Sequence, residues 1–291
     1  MNSHSRREKV GPTISIVTPS FNQGPYIREA LLSVASQQGH TVEHLVVDGG
    51  STDSTLDILR ECSQVSGWAH LRWTSEPDNG QSDALNKGFQ KAKGELVGWL
   101  NSDDRYRPGC FDAVMAAAYK HPEVDVFYGD YTWIDERNKC MQIRREIEFS
   151  RFVLGYHRVL YIPTTSTFFR RRIFDEGNWI NTQYHYAMDY EFFLRLAGAD
   201  YRFQHIPHIL ADFRWHSESK TGSRSEKQLA EHDEIAGIYS PLFRRMPPGL
   251  PLNLVRKGAR LLAGGRRYTE KLLRGYYFTQ YRSAIRWPDL S

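Results

Sequence analysis

Cysteine is scarce in this chain. Cys62, Cys110 and Cys140 stand far apart in 291 residues and form no C-x-x-C pair. Neither a thiolate zinc site nor a disulfide framework is expected, and a reducing compartment is. No apolar run approaches the length needed to span a bilayer. The first residues carry Arg6, Arg7 and Lys9 but no apolar core of a secretory signal, so none is expected. Gly-rich phosphate loops are missing too: neither G-x-G-x-x-G nor G-x-x-x-x-G-K stands near a strand end. Internal repeats are absent. What is left is an ordinary globular chain, 40% apolar and 25% charged, with aromatics rather high at 13%. Its length suits one large domain, or a domain with an appendage.

The net charge of +4 hides an asymmetry. From Arg244 onward eleven basic residues face only Glu270 and Asp289, so this tail carries +9 and the first 243 residues carry −5. Such a tail can attract anionic lipid or nucleic acid. Leu254, Val255, Leu261, Leu262, Leu272 and Leu273 interleave with its cations, the mixture an interfacial amphipathic helix needs. Packing on the rest of the protein, or a dimer contact, explains the same pattern equally well.

Ile14–Val17 reads as a buried strand, and 26–37 has helical spacing. His44–Val47 is a second strand, stopped by Asp48-Gly49-Gly50, and Ser51-Thr52-Asp53 starts a second helix. Strands at 71–74 and 95–100 flank a helix at 81–92. The later pattern is less regular: strands at 125–128, 164–169 and 202–206, a helix at 190–196, and helices from about 225 with a Pro-broken linker at 246–251. Alternating strands and helices predict an α/β protein with a parallel sheet. Ligands bind such sheets beyond the carboxyl ends of the strands. Each of the first four strands ends in polar residues, namely Asn22, Asp48, Glu76 with Asp78, and Asp103 with Asp104. Four such clusters should converge in one cleft.

Asn101-Ser102-Asp103-Asp104 sets two carboxylates side by side, which repel unless a cation joins them. Hard oxygen ligands suit Mg²⁺ or Mn²⁺, and a solvated turn is the equal alternative. Around Asp48 and Asp53, glycines allow close approach and a carboxylate can accept hydrogen bonds from a base or ribose; Asp53 also suits a helix start. The stretch from Glu76 to Gly88 has the polar density of a functional rim, and Lys87 could reach a phosphate or lie on a solvated helix face. Asp189 at a helix start is either a cap or a general base. Arg214, His216 and Lys220 could meet an anion or complete a metal site, although a lone His is more often structural.

In order, these pieces resemble the family 2 glycosyltransferases of GT-A fold. The matching segments are 17–22 (VTPSFN), 47–53 (VDGGSTD), 78–88 (DNGQSDALNKG), 99–104 (WLNSDD) and 188–191 (MDYE), spread over residues 12–221. The resemblance implies a Rossmann-like, mostly parallel sheet flanked by helices, with a helical basic C-terminal extension. It divides the chain into a disordered 1–11, a catalytic domain over 12–224 (donor half 12–104, acceptor half 105–224) and the extension 225–291. It implies an inverting enzyme that moves a sugar from a nucleotide-diphosphate sugar to the hydroxyl of a saccharide or lipid-linked acceptor, in bacterial surface polysaccharide or glycolipid assembly. Pro19, Phe21, Asn22, Asp48, Asp78, Gln81, Asp83, Lys87, Ser102 and Asp103 would bind the donor. Asp103, Asp104 and His216 would hold Mn²⁺ or Mg²⁺, and Asp189 would be the catalytic base. Two positions depart from the family pattern: Asn101 stands where many members have an acidic residue, and Met188 precedes the base. A sugar nucleotidyltransferase would carry a basic Gly-rich loop where this chain has Phe21-Asn22-Gln23-Gly24; a non-catalytic binding module would not need Asp189. A cytoplasmic protein is expected, with peripheral contact at the inner membrane face through 244–291, no nucleic-acid partner, and oligomerisation left open.

Overall fold

Every residue of β1 (Ile14–Ser20) is buried, as befits a central strand covered on both faces. It opens a computed structural model that describes residues 13–157, 159–216, 226–240, 242 and 252–279. The expected disorder of 1–11 and the linker at 246–251 lie outside these residues. The first half alternates as read: β1, α1 (Ile27–Ala35), β2 (Val42–Asp48), α2 (Thr55–Gln64), β3 (Leu71–Ser75), α3 (Gln81–Lys91) and β4 (Leu96–Trp99). All strand pairs here are parallel, in the order β3-β2-β1-β4. The register sets Ser20 beside Asp48, and Asp48 beside Ser75, so the polar strand ends line up on one edge. α3 lies close on β1 because Gly88 has no side chain: a Cβ there would come within 2.2 Å of Val17 Cγ1.

The second half is mixed. It holds β5 (Arg105–Tyr106), α4 (Cys110–Lys120), β6 (Val126–Ile134), β7 (Cys140–Arg144), α5 (Arg151–Tyr156), β8 (Thr167–Arg170), α6 (Arg172–Asp175), α7 (Met188–Gly198), β9 (Phe203–Arg214) and α8 (Glu226–Tyr239). β8 joins the sheet antiparallel to both β4 and β6, and β6 runs parallel to β9. The fold is therefore the expected α/β arrangement, with its parallel part concentrated in the first half. Three readings need correction. Thr164–Ser166 is a 3-10 turn rather than strand, the strand starting only at Thr167. β9 runs on to Arg214, well past residue 206. The second helix begins at Thr55, because Asp53 is spent on the Thr55 and Gly24 N–H groups.

One core joins the two halves. Val17, Leu85, Phe89 and Trp99 pack with Phe169, Phe174, Phe192 and Phe193. The rings of Phe89 and Phe174 stack at 4.3 Å, tying α3 to the second half.

Beyond α8 lie α9 (Leu252–Leu273) and the short α10 (Tyr276–Thr279). Where it is described, the extension is helical, as expected. Ala259 and Ala263 of α9 pack on Tyr156 of α5. Arg267 and Lys271 reach the fully buried Glu146, at 2.7 and 3.0 Å. Among the described residues no helix is long and apolar enough to cross a membrane.

Behind this clamp His205 of β9 sits fully buried, 2.8 Å from Asp130 of β6 and 3.9 Å from Glu148. Burial disfavours its imidazolium, but the two carboxylates outweigh burial and lift its pKa from 6.5 to about 9. A raised folded-state pKa stabilises fully below the unfolded value and is lost as pH climbs through the folded one. Denaturant unfolding should therefore show the protein losing up to about 3 kcal/mol from this pair between about pH 6.5 and 9. His205→Asn should lack that slope; the same slope in the variant would show that His205 is not its source.

Candidate functional site

The candidate site is gathered where the polar strand ends line up. Beyond β1, Asn22 takes a positive φ of 52° and is held in it twice. Its N–H donates to Ser51 Oγ at 2.8 Å, and its side-chain oxygen accepts from the Thr52 N–H at 2.9 Å. A non-glycine residue in this region stores strain of a kind that clusters at functional sites. The neighbouring Phe21 projects outward with 59% of its surface exposed, a free ring at the mouth.

Asp48 is fully buried. It accepts from the Gly50 and Ser51 N–H groups at 3.1 and 2.9 Å and from Ser75 Oγ at 2.7 Å. These bonds fold the Gly49-Gly50 loop over the end of β2. Asp78 lies against that loop: a Cβ on Gly49 would come 2.7 Å from its Oδ2. Its other oxygen accepts from the Gly80 N–H at 2.8 Å, at the entry to α3. Asp83 accepts from the Asn79 N–H, and Lys87 bridges Glu76 and Asp83 at 3.2 and 3.4 Å. Lys87 thus braces this rim in the structure.

After β4 the chain turns through Asn101-Ser102-Asp103-Asp104, and the two carboxylates part. Asp104 points inward and is only 1% exposed. Its Oδ1 accepts from the Arg214 N–H at 2.8 Å; its Oδ2 accepts from the Thr165 hydroxyl and from Asn101 Nδ2 at 3.1 Å. Burial, and then the nearby Asp103 charge, push its carboxyl well above the usual range, against the pull of these donors. Asp103 remains partly exposed, and its Oδ2 lies 2.9 Å from His216 Nε2. The His216 ring in turn packs 4.9 Å from Tyr26. Ser102 is oriented by donating to the Pro19 carbonyl at 3.1 Å, which ties the turn to β1.

Arg214 locks the assembly from behind. It donates through Nε to the Asp103 carbonyl, reaches Glu29 and Asn138 with its two terminal nitrogens, and lies 5.0 Å over the Tyr26 ring. Gln81 donates to Asn101 at 3.0 Å, and Ser82 Oγ lies 2.7 Å from Met188 Sδ. These contacts carry the site across to α7, whose first turn bears the half-buried Asp189. Its neighbour Glu191 is buried and paired with Arg195 and Tyr239, a structural role.

The turn, the β1 loop and the start of α7 are thus brought together as expected from sequence. Reading the sequence missed Thr165, Glu29 and Tyr26, of which Thr165 carries no pattern of its own. Arg214 was singled out there as an anion or metal contact, and in the structure its guanidinium is bonded to the Asp103 carbonyl, Asn138 and Glu29.

Asp103 Oδ2 and the buried His216 Nε2 are paired at 2.9 Å, one oxygen and one nitrogen of the kind Mn²⁺ or Mg²⁺ accepts with the remaining positions left to phosphate and water. Among the described residues no group of three His, Cys, Asp or Glu side chains could enclose a metal without such help.

Comparison with known proteins agrees with this architecture. The family model for Glycosyl transferase family 2 matches residues 15–177. An uncharacterized glycosyltransferase of Mycobacterium tuberculosis is 31% identical over 285 residues, 96% of each chain. The putative teichuronic acid biosynthesis glycosyltransferase TuaG of Bacillus subtilis is 35% identical over 96 residues, 33% of this chain and 38% of that one. The structure of TarS 1-349 from S. aureus in complex with UDP-GlcNAc aligns with a TM-score of 0.60 at 18% identity, over 86% of this chain and 79% of that one. The mannosyltransferase PcManGT from Pyrobaculum calidifontis, in complex with GDP-Man and Mn²⁺, aligns with a TM-score of 0.61 at 18% identity, over 88% and 74%. At such identities these two structures speak for the fold alone. With a family model over more than half of its length and a relative matched over nearly all of it, the chain belongs to glycosyl transferase family 2 and has the GT-A fold.

Proposed function

We propose that the protein is an inverting glycosyltransferase that uses a divalent cation, with Asp103 and His216 as its protein ligands and Asp189 as catalytic base. The observation that carries this reading is the pairing of Asp103 with His216 at 2.9 Å, at the end of the parallel strands. Asp104, whose oxygens are taken by Arg214, Thr165 and Asn101, holds the turn and leaves the cation to Asp103. Pro19, Phe21, Asn22, Asp48, Asp78, Gln81, Asp83 and Ser102 line or support the donor side. Phe21 offers a ring face to the base. Asp48 shapes the loop the nucleotide would lie against.

In this mechanism Asp189 takes the proton from the acceptor hydroxyl. The freed oxygen forms a bond to the anomeric carbon from the side opposite the diphosphate. The carbon–oxygen bond to the diphosphate breaks, its electron pair leaves with the nucleoside diphosphate, and the configuration inverts. A cation held by Asp103 and His216 would supply charge neutralisation for the leaving diphosphate. TarS and PcManGT carry UDP-GlcNAc and GDP-Man, so a nucleoside-diphosphate hexose is the donor class to test. TuaG is named for teichuronic acid biosynthesis, which supports a role in bacterial surface-polymer assembly.

Asp189→Asn should cut transfer by a factor of about 10² or more while donor affinity stays within about twofold, read by release of nucleoside diphosphate and by calorimetry. Near-native transfer by this variant sinks the assignment of the base.

The two carboxylates of the turn should separate in a second experiment. Asp103→Ala should abolish the Mn²⁺ dependence of donor binding. Asp104→Ala, which strands buried donors, should cost about 1–3 kcal/mol of stability in denaturant unfolding. Metal-dependent affinity unchanged in Asp103→Ala would refute the ligand role.

A further inference from the structure

α9 is docked with its charges inward and its leucines outward. The inward side consists of Ala259, Ala263, Arg267 and Lys271, all buried, with both cations on Glu146. On the other side Leu254, Leu261, Leu272 and Leu273 are 68%, 77%, 56% and 82% exposed. Leu254, Leu261 and Leu272 are separated by whole numbers of turns, two and then three, so they form one stripe along the helix. Leaving such side chains in water forgoes the favourable burial an apolar surface would give them. The Glu146 clamp prevents α9 from rolling over to bury them, because that would leave a buried carboxylate without its cations.

Charge decides between two occupants of this face. Exposed Lys257, Arg260 and Arg266 accompany the leucines. Glu270 is the one acid from 252 to 279, and it is turned to the domain, accepting the Glu148 N–H at 2.9 Å and pairing with Arg274 at 3.1 Å. A symmetric pair of chains would set this cationic face against itself, and among the described residues of α9 and α10 the face carries no carboxylate to answer it. An anionic bilayer surface answers both features, taking the leucines at the acyl boundary and the cations at its headgroups. We propose that the outward face of α9 docks the protein on anionic membrane. Its docked side is the one built by 144–161, from which the chain runs on to Thr165 beneath the catalytic turn.

The test needs no sugar donor, so its outcome is independent of the proposed reaction. The full chain is co-sedimented with vesicles of phosphatidylcholine alone and of phosphatidylcholine with phosphatidylglycerol. The native protein should partition onto the phosphatidylglycerol vesicles and leave them as salt is raised. Leu261→Glu combined with Leu272→Glu should lower that partition about tenfold or more, and so should Lys257→Glu combined with Arg266→Glu. Circular dichroism checks the fold, and serine replaces glutamate at 261 and 272 if the spectrum changes. The proposal is overturned if the native chain ignores both vesicle types, or if the leucine variants partition like the native chain. It is equally overturned if the native chain is a dimer that the leucine variants convert to monomer.

Discussion

The burial of Asp104 is the constraint on which the site depends. A carboxylate taken out of water is tolerated only when donors surround it. Here they come from three places: Asn101 in its own turn, the Thr165 hydroxyl in the 3-10 turn before β8, and the backbone of Arg214 at the end of β9. One side chain therefore pins the end of β4 to two strands of the second half. It turns inward while its neighbour stays partly exposed, and Asp103 reaches His216 just past the same strand end.

Arg214 extends that constraint. Its guanidinium joins the Asp103 carbonyl to Glu29 in α1, and Glu29 also takes Arg105 at 3.0 Å. Arg105 and Arg107 share the buried Asp212 at 2.9 and 2.7 Å, which fastens β5 to β9. A polar scaffold thus holds the turn on one side of the sheet, while the phenylalanine cluster joins α3, β8 and α7 on the other. The α3 helix and the first turn of α7 are carried by elements that share a core, the rigidity that the proposed reaction needs for alignment. The same economy appears at Glu146, where a buried acid selects which face of α9 meets the domain.

Much of the first half was legible because its signals are local. Continuous apolar runs closed by Asn, Asp and Gly identify buried parallel strands, and the polar residues that close them line up on one edge of the sheet. In the second half the signals depend on distant partners. Thr164–Ser166 has the β-branched look of a strand but folds as a 3-10 turn, placing Thr165 on Asp104. β9 continues through Pro207 by pairing with β6 across a register shift, which residue preferences alone do not reveal.

By itself the sequence determined the alternating α/β order, the edge of the sheet where the polar strand ends gather, the family through its motifs, and the basic character of the C-terminal segment, because each is carried by residues close together along the chain. Only the tertiary structure told the two aspartates apart. They are adjacent and chemically identical, and what separates them are donors 61 and 110 residues away in sequence. Only the tertiary structure turned the leucines of α9 outward, since periodicity marks two faces on a helix but the buried Glu146, more than a hundred residues earlier, decides which of them faces water.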